Sequence, residues 1–253
     1  MIDIHCHILP GVDDGPPTLQ QSIELSEMAV SSGISTIIAT PHHLNGRYTT
    51  PSEVVKKAVD QLNLELSQRQ ISLQIKYGQE VHVHPLIIHE LYQGKLCTLA
   101  NSRYMLLELP FKRVPVYFND VLHELKINHI TPIIAHPERN AEIVHSPRLV
   151  DQLIKQGVLF QITAHSITGL FGRKVQKWCF HLCKKNYLHF ISSDAHHVIR
   201  RNFALKESYA TIGKIFGNAL VNDLKLNAQL VVENLPIVTK EDEKVKRSSL
   251  LWR

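Results

Sequence analysis

The sequence is poor in the features that mark secreted, membrane-spanning and nucleic-acid-binding proteins. Its 253 residues include only four cysteines, without the spacing of a disulfide framework, which predicts reduced thiols and a cytoplasmic location. No apolar run approaches the ~20 residues that cross a bilayer, and the start MIDIHC does not resemble a signal peptide. The net charge of +5 comes from scattered Lys and Arg residues, so we expect no nucleic-acid partner, whereas an anionic substrate is compatible with it.

Histidine, by contrast, occurs 16 times, and two copies end the first apolar run, IDIHCH. In an extended strand, side chains alternate between the two faces, so His5 and His7 point the same way. Two imidazoles side by side are poorly suited to a core and well suited to binding a metal ion. The run therefore predicts the first part of a metal site.

Short apolar runs recur along the chain and alternate with helical patterns. Most are nearly continuous, as expected of strands that are buried on both faces. The stretches Thr50-Pro51-Ser52-Glu53 and Ser146-Pro147 carry the signals of helix starts, and in the first of them Thr50 is predicted to be the N-cap. Seven strands separated by helices predict one parallel α/β domain, most simply a barrel. The seven runs are residues 2–7, 34–43, 73–83, 104–110, 131–139, 159–166 and 188–197.

Almost every predicted strand ends in a residue that can bind a divalent metal ion. Parallel barrels carry their chemistry at the carboxyl ends of the strands, so we expect these side chains to converge at one rim. Imidazoles with carboxylates and no thiolate favour Mn, Fe or Zn, and the set is too large for one tetrahedral ion. A hydrolytic centre with two or three ions follows. The strand-end residues are His5, His7, His42, His43, Glu80, Glu108, His136, Asp194 and His196.

The strand-end series HCH, DDG, TPHH, GQE, LLELP, AHPERN and SSDAHH resembles the PHP (polymerase and histidinol phosphatase) superfamily. Within it, the chain is similar to the bacterial manganese-dependent tyrosine-protein phosphatases of capsule and exopolysaccharide clusters. The motifs occur in order over nearly the whole chain, to about residue 235. The resemblance implies a distorted (β/α)7 TIM-like barrel as a single domain, residues 1–235, followed by a charged C-terminal tail, residues 236–253.

The resemblance also implies which residues hold the ions, expected to be two or three Mn²⁺, with Fe or Zn as alternatives. Arg139 and Arg201 match positions that contact substrate phosphate, and His136 or His196 could also donate a proton. The first ion would be held by His5, His7, Glu80 and Asp194, the second by Glu80, Glu108 and His136, and the third by Asp14, His42 and His196.

The activity implied by the resemblance is hydrolysis of phosphotyrosine in proteins. A metal ion can lower the pKa of bound water from ~15.7 to ~7, which supplies a hydroxide at neutral pH. The expected substrate is the tyrosine-rich tail of a polysaccharide-synthesis kinase. Three alternatives stay open: another PHP phosphoesterase acting on histidinol phosphate or a nucleotide, an amidohydrolase-type barrel, and a catalytically silent binding protein. The amidohydrolase pattern is disfavoured because it has lysine where Glu108 stands.

The stretch CTLANSR, from Cys97 to Arg103, has the C-x5-R spacing of cysteine-dependent tyrosine phosphatases. Those enzymes hold phosphate in a loop at a helix N-terminus, which also lowers the pKa of the thiol. Here the stretch precedes a predicted strand, YMLLELP, and contains no glycine. We therefore interpret the spacing as a chance match and expect substitution of Cys97 to leave activity intact.

Several residues near the motifs have simpler interpretations. Asp13 is expected to cap a turn, because the family pattern selects Asp14 as the ligand. His43 is interpreted as an indirect or exposed neighbour of His42. His82 extends beyond the expected strand end and is placed at the rim of the site, and His165 is placed there too.

Overall fold

Apolar strands alternate with amphipathic helices along residues 1–238, the part of the chain that the computed structural model describes. The predicted tail of residues 236–253 lies, from residue 239 onward, outside this part. The strands are β1 (Ile2–Cys6), β2 (Thr36–Ala39), β3 (His42–His43), β4 (Gln74–Tyr77), β5 (Glu80–His82), β6 (Tyr104–Glu108), β7 (Thr131–Ala135), β8 (Leu159–Thr163) and β9 (Phe190–Ser192).

Helices connect most of these strands, and none of those described is long and apolar enough to cross a membrane. They are α1 (Leu19–Ser31), α2 (Ser52–Gln68), α3 (Ile87–Tyr92), α4 (Phe118–Ile127), α5 (Ala141–His145), α6 (Pro147–Lys155), α7 (Ala164–Thr168), α8 (Arg173–Lys185), α9 (Leu205–Phe216) and α10 (Asn218–Val232).

All the strand pairs are parallel, and they form two sheets. One sheet has the order β1-β2-β4 and the other the order β3-β5-β6-β7-β8-β9. The parallel α/β fold predicted from the sequence is therefore confirmed, but strand pairing yields two sheets rather than one closed sheet. At its carboxyl end β1 reaches the segment after β9, where the N–H of His7 donates to the Ala195 carbonyl (2.9 Å) and that of Asp194 to the His5 carbonyl (2.9 Å).

Residues 1–238 form nine strands rather than the predicted seven because two predicted runs are interrupted. Between β2 and β3, Pro41 has no N–H to contribute to a ladder. Between β4 and β5, the chain packs so closely that a Cβ on Gly78 would lie 2.9 Å from side-chain atoms of both Ile38 and Leu99. The first interruption lies just before His42 and the second just before Glu80, so each affects the direction in which the following side chain points.

Neighbouring strand residues pack into different apolar clusters, as expected for strands that are buried on both faces. Leu107 belongs to a large cluster shared with the helices, whereas Leu106 belongs to a smaller one. In β1 the pairing with β2 is irregular between Asp3 and Cys6. Ile4 packs in the smaller cluster and Cys6 in the larger, so the strict alternation predicted for this run does not hold there.

The two predicted helix starts differ in their capping. α6 begins as predicted, with the Ser146 hydroxyl accepting a hydrogen bond from the Leu149 N–H at 3.3 Å. α2 begins at Ser52 with Pro51 at the N-cap and no side-chain cap, so the predicted capping by Thr50 is wrong. Thr50 is buried, and its carbonyl faces His43 Nδ1 at 2.8 Å.

Candidate metal centre

The strand-end residues identified in the sequence, with the exception of His43 and with the addition of Asp14, line or adjoin one cavity of about 430 Å³. His5 lies in β1, His42 in β3, Glu80 in β5 and Glu108 in β6, while the others lie in the segments that follow β1, β7 and β9. Because all the strands are parallel, these positions meet at the same end of the fold. The buried members of the set are His5, His7, His42, Glu80, Glu108, His136, Asp194 and His196, whereas Asp14 is partly exposed.

His5 and His7 present their Nε2 atoms to each other at 3.2 Å. His5 Nδ1 contacts Gln161 Oε1 at 2.8 Å, and His7 Nδ1 contacts Asp13 Oδ2 at 2.6 Å. Both oxygens can only accept, so each Nδ1 carries the proton and, in the neutral rings, each Nε2 carries a lone pair. Two lone pairs at this distance repel each other unless a cation lies between them.

Two carboxylate oxygens face the same point. Glu80 Oε2 lies 3.3 Å from His5 Nε2 and 3.2 Å from His7 Nε2. Asp194 Oδ1 lies 3.4 Å and 3.5 Å from the same two nitrogens. Neither oxygen has a hydrogen-bond partner among the described residues, although both are buried. Unpaired buried acceptors of this kind are costly, so the donor set fits a divalent cation.

A second group of unpaired atoms lies beside the first. His42 Nδ1 and His196 Nε2 are buried without a hydrogen-bond partner in the described part of the chain. His196 Nδ1 contacts the Asp194 carbonyl at 2.9 Å, so its other nitrogen is left as the acceptor. That atom, Nε2, lies 3.2 Å from Asp14 Oδ1.

The possible ligand atoms form three overlapping clusters, within each of which all atoms lie within 4.8 Å of one another. His7, His42 and Glu80 each belong to two of them, which is the arrangement expected of ions that share ligands. The clusters are His7 with Asp14, His42 and His196; His5 with His7 and Glu80; and His42 with Glu80 and Glu108.

His136 lies outside these three clusters. Its Nε2 is 2.7 Å from Glu80 Oε1, while Glu80 Oε2 faces the other histidines. The residue has φ 32°, and Asp194 has φ 53°, so both adopt left-handed backbone where a strand ends. Such backbone costs about 1–3 kcal/mol per residue and is typical of functional sites, where it aims a side chain.

Two carboxylates of the centre, Glu80 and Asp194, are ionised at neutral pH. Burial opposes the charge on Glu80, but the neighbouring histidines, His5 and His42 foremost, hold its pKa well below the usual range. Burial also opposes the charge on Asp194, but Arg139, His5 and Arg201 together outweigh it and hold that pKa well below its usual range. Two buried negative charges are thus retained where cations are expected.

The histidines respond to the same charges. Burial lowers the pKa of His7, but Asp13 and Glu80 together outweigh burial and raise it to about 9. Burial also lowers the pKa of His42, but Glu80, Glu108 and Asp13 together raise it to about 9. His196 differs, because burial and the neighbouring His7 lower its pKa to about 4. A metal ion held by the first two rings would have to displace their protons, so its affinity would rise with pH.

Two arginines close one side of the cavity. Arg139 and Arg201 both pair with Asp194 Oδ2, Arg201 at 2.6 Å, and Arg139 also donates to Thr163 Oγ1 at 3.0 Å. The ring of Phe171 lies 5.5 Å from the Arg139 guanidinium carbon. The two predicted phosphate-binding residues are thus held next to the predicted ligands.

Asp13 and Gln161 are functional candidates that the sequence reasoning missed. Besides holding His7, Asp13 Oδ2 accepts from the backbone N–H of His42 at 3.0 Å, so it orients two predicted ligands rather than only capping a turn. Gln161 is fully buried and faces His5. The signal was a polar residue inside the apolar run LFQIT, whose partner in β1 no local pattern identifies.

Two histidines that the sequence analysis placed at the rim of the site make closer contacts with the fold than expected. His82 is the last residue of β5 rather than lying beyond it, lines the cavity, and contacts Glu108 Oε2 through Nδ1 at 3.3 Å. β5 extends this far because His82 pairs with Glu108 in the register with β6. His165 is buried, and its ring centroid lies 6.0 Å from that of Phe171.

His43 is buried rather than exposed and lies away from the cavity. Its Nδ1 donates to the Thr50 carbonyl at 2.8 Å, and its Nε2 lies 3.3 Å from Glu90 Oε2. These contacts connect β3 to α3 and to the loop that follows His42. His43 therefore stabilises the segment that carries a predicted ligand.

Cys97 and Arg103 do not form a phosphate loop. Burial raises the pKa of the Cys97 thiol to about 12, and its backbone N–H donates to Gln79 Oε1 at 2.6 Å. The Arg103 side chain donates to Asn234 Oδ1 at 3.4 Å. Neither residue lines the cavity, so the interpretation of the C-x5-R spacing as a chance match agrees with the geometry.

Comparison with known protein families finds one match over nearly all of the described residues. The family described as "Capsular polysaccharide synthesis, CpsB/CapC" matches residues 1–233. The tyrosine-protein phosphatase YwqE of Bacillus subtilis is 41% identical over 250 residues, which cover 99% of this chain and 98% of that protein. The putative tyrosine-protein phosphatase CapC of Staphylococcus aureus is 40% identical over 228 residues, covering 90% and 85%.

The fold is also similar to a solved structure. A crystal structure reported for YwqE and for CpsB of Streptococcus pneumoniae, described as unique metal-dependent tyrosine phosphatases, superposes with a TM-score of 0.92. The sequences are 41% identical, and the superposition covers 95% of this chain and 97% of the other.

Proposed function

The chain belongs to the CpsB/CapC family of capsular polysaccharide synthesis, and from this premise we propose that it is a metal-dependent tyrosine-protein phosphatase. The observation that carries the proposal is the convergence of three clusters of ligand atoms and two arginines on one cavity. Phosphomonoester hydrolysis needs both parts, because charge on the transferring phosphoryl group must be neutralised while water is activated.

The metal ions, for which we propose Mn²⁺, would supply Lewis acidity and activated water at neutral pH. We propose as ligands all nine of the predicted residues. Glu80 has the central position, because one of its oxygens faces three histidines and the other faces His136. The proposed ligands are His5, His7, Asp14, His42, Glu80, Glu108, His136, Asp194 and His196.

Arg139 and Arg201 are proposed to bind the phosphoryl oxygens. Their guanidinium groups present donors in a planar fork that matches phosphate. Asp194 holds both of them through Oδ2, so one carboxylate positions the two arginines while its other oxygen faces the histidines. His136 and His196 are proposed to assist proton transfer, although a phenolate leaving group, with a pKa of ~10, needs little protonation.

The cavity has an apolar part that suits an aromatic substrate. Leu109, Pro110 and Phe111 follow β6 and line the cavity. A tyrosyl ring packed against this apolar surface would place its phosphate toward the metal cluster. A small polar phosphomonoester would bury less apolar area there and gain less from binding.

We also propose that the two sheets are parts of one distorted seven-stranded barrel. Only two residues separate β2 from β3, and two separate β4 from β5. The segments after β1 and β9 exchange backbone hydrogen bonds, which supports closure. A cytoplasmic location is proposed because all four cysteines are free thiols, as expected in a reducing compartment.

We propose the tyrosine-rich tail of a polysaccharide-synthesis kinase as the protein substrate. The family description refers to capsular polysaccharide synthesis, and the relatives are named tyrosine-protein phosphatases. Such a tail would bring a phosphorylated phenol to the cavity without requiring a fold of its own.

The decisive experiment measures turnover of a phosphotyrosine peptide, a phosphoserine peptide and histidinol phosphate. We expect the first to be preferred, activity to disappear after chelation, and Mn²⁺ to restore it better than Mg²⁺. His136→Ala should remove most turnover while the fold persists, and the control Cys97→Ser should retain it. Full activity after complete metal removal, or a preference for histidinol phosphate, would overturn the proposal.

A further inference from the structure

The loops around the mouth of the cavity carry cations in excess. They follow β3, β6, β7 and β9, and their basic residues are Arg47, Lys112, Arg113, Arg139, Arg200 and Arg201. The acidic residues of the loops that follow the strands at this end already belong to the centre or are hydrogen-bonded within the fold. Asp13, Asp14 and Asp194 belong to the centre, and Glu138 is buried, accepting from the Thr163 N–H at 2.8 Å.

Four of these cations, unlike Arg139 and Arg201, form no ion pair with a residue of the centre. Arg47, Lys112, Arg113 and Arg200 are exposed and form no ion pair with any of residues 1–238. Exposed cations elsewhere do find partners, such as Arg69 with Glu65 at 3.6 Å. These four side chains, defined here as the basic rim, therefore present uncompensated positive charge to an approaching substrate.

Arg47 is connected to the cavity through its neighbours. Asn45 lines the cavity, and its Oδ1 accepts from the backbone N–H groups of Arg47 (3.1 Å) and Tyr48 (2.9 Å). The Arg47 guanidinium carbon lies 5.1 Å from the centre of the Tyr48 ring, which stacks parallel to the ring of His42 at 6.4 Å. The contact with Tyr48 thus keeps the Arg47 guanidinium beside the mouth of the cavity rather than extended into solvent.

Lys112 and Arg113 directly follow Phe111, which lines the cavity. The Phe111 carbonyl accepts from the Ala141 N–H at 2.8 Å, so the segment is attached to the start of α5. Glu142, an exposed acid nearby in α5, accepts from the Val114 N–H at 2.8 Å. The Glu142 carboxylate therefore accepts a hydrogen bond from the backbone, and neither Lys112 nor Arg113 forms an ion pair with it.

We propose that the basic rim recognises an acidic peptide, one with carboxylates within a few residues of the phosphotyrosine. The inference rests on the proposed function, because the rim surrounds the cavity that would take the phosphorylated ring. An extended peptide advances about 3.3–3.6 Å per residue, so residues two to four positions away pass over the loops that surround the mouth. Positive charges around a cleft raise the rate of encounter with a negatively charged substrate, most strongly at low ionic strength.

The test compares kcat/KM for three phosphotyrosine peptides that differ only in their flanking residues, which are Glu, Gln or Lys. At low salt we expect the order Glu, Gln, Lys, with roughly a tenfold range between the extremes, shrinking at high salt as charges are screened. Lys112→Ala/Arg113→Ala should reduce that range about threefold, and Lys112→Glu/Arg113→Glu should reduce it further. Hydrolysis of free phosphotyrosine should not change in either variant.

Lys126→Ala/Lys155→Ala is the matched control, because these lysines lie near the C-termini of α4 and α6, at the opposite end of the strands. It removes the same charge and should leave the peptide preference intact. Equal kcat/KM for the three peptides, or an unchanged range in the rim variants, would overturn the inference while phosphotyrosine hydrolysis survives. Absence of any phosphotyrosine hydrolysis would overturn the proposed function and, with it, this inference.

Discussion

Gln161 and Asp13 each hold one histidine ring of the centre by its Nδ1 atom. Neither side chain carries a ligand atom in the three clusters, yet both determine which nitrogen of His5 and His7 faces the cavity. Partners of this kind fix the tautomer and the direction of a metal-binding imidazole. At the residue scale, the geometry of the candidate centre therefore depends on side chains that supply none of the candidate ligand atoms.

Replacing Gln161 by Leu removes the acceptor for His5 Nδ1. We expect Mn²⁺ affinity to fall roughly 10–100-fold, as is typical when such a partner is lost. Calorimetric titration with Mn²⁺ measures this, and circular dichroism checks the fold. Gln161→Glu keeps an acceptor of similar size and should retain most of the affinity. Equal affinity in the Leu variant and the wild type would show that His5 needs no partner.

At the element scale, the predicted strands and helices exist, but two strands are broken where the chain must turn toward the centre. The continuous apolar runs identified buried strands correctly because burial on both faces dictates composition directly. The interruptions at Pro41 and Gly78 could not be predicted in the same way. Gly78 is required by contacts with Ile38 and Leu99, which are distant in sequence.

The Gly78 prediction follows from this close packing. Gly78→Ala would place a methyl group 2.9 Å from both neighbouring side chains, so we expect a loss of about 1–3 kcal/mol in the free energy of unfolding. Urea unfolding measures it. The control Ser67→Ala, at an exposed position in α2, should change stability by less than ~0.5 kcal/mol. Similar midpoints for both variants would mean that the contact relaxes without cost.

At the scale of the whole molecule, negative charges are concentrated in the centre and positive charges on the exposed loops around it. The centre holds carboxylates from four segments, and the exposed loops around it carry cations. Ions that bind the folded centre and not the unfolded chain shift the folding equilibrium. The fold and its metal content are therefore expected to be thermodynamically linked.

Mn²⁺ at about 100 times its dissociation constant should stabilise the fold by about 2.7 kcal/mol per site. For a domain of this size we expect a rise in Tm of roughly 5–10 °C over the chelated protein for each site that is filled. Differential scanning calorimetry provides the measurement. Glu80→Gln, which weakens two of the three clusters, should show a smaller rise. Identical Tm values with and without Mn²⁺ would contradict the linkage.

The chain by itself predicted nine candidate metal ligands at or after the ends of strands and determined that the fold is parallel α/β, because burial and strand parity are local properties. Residue numbers alone could not assign those side chains to particular clusters. Only the tertiary structure decided that Glu80 lies between several histidines, that Asp13 and Gln161 orient two rings, and that His136 stands apart from the three clusters. Distances between different strands depend on register, interruptions and left-handed turns, which arise from contacts between segments far apart in sequence.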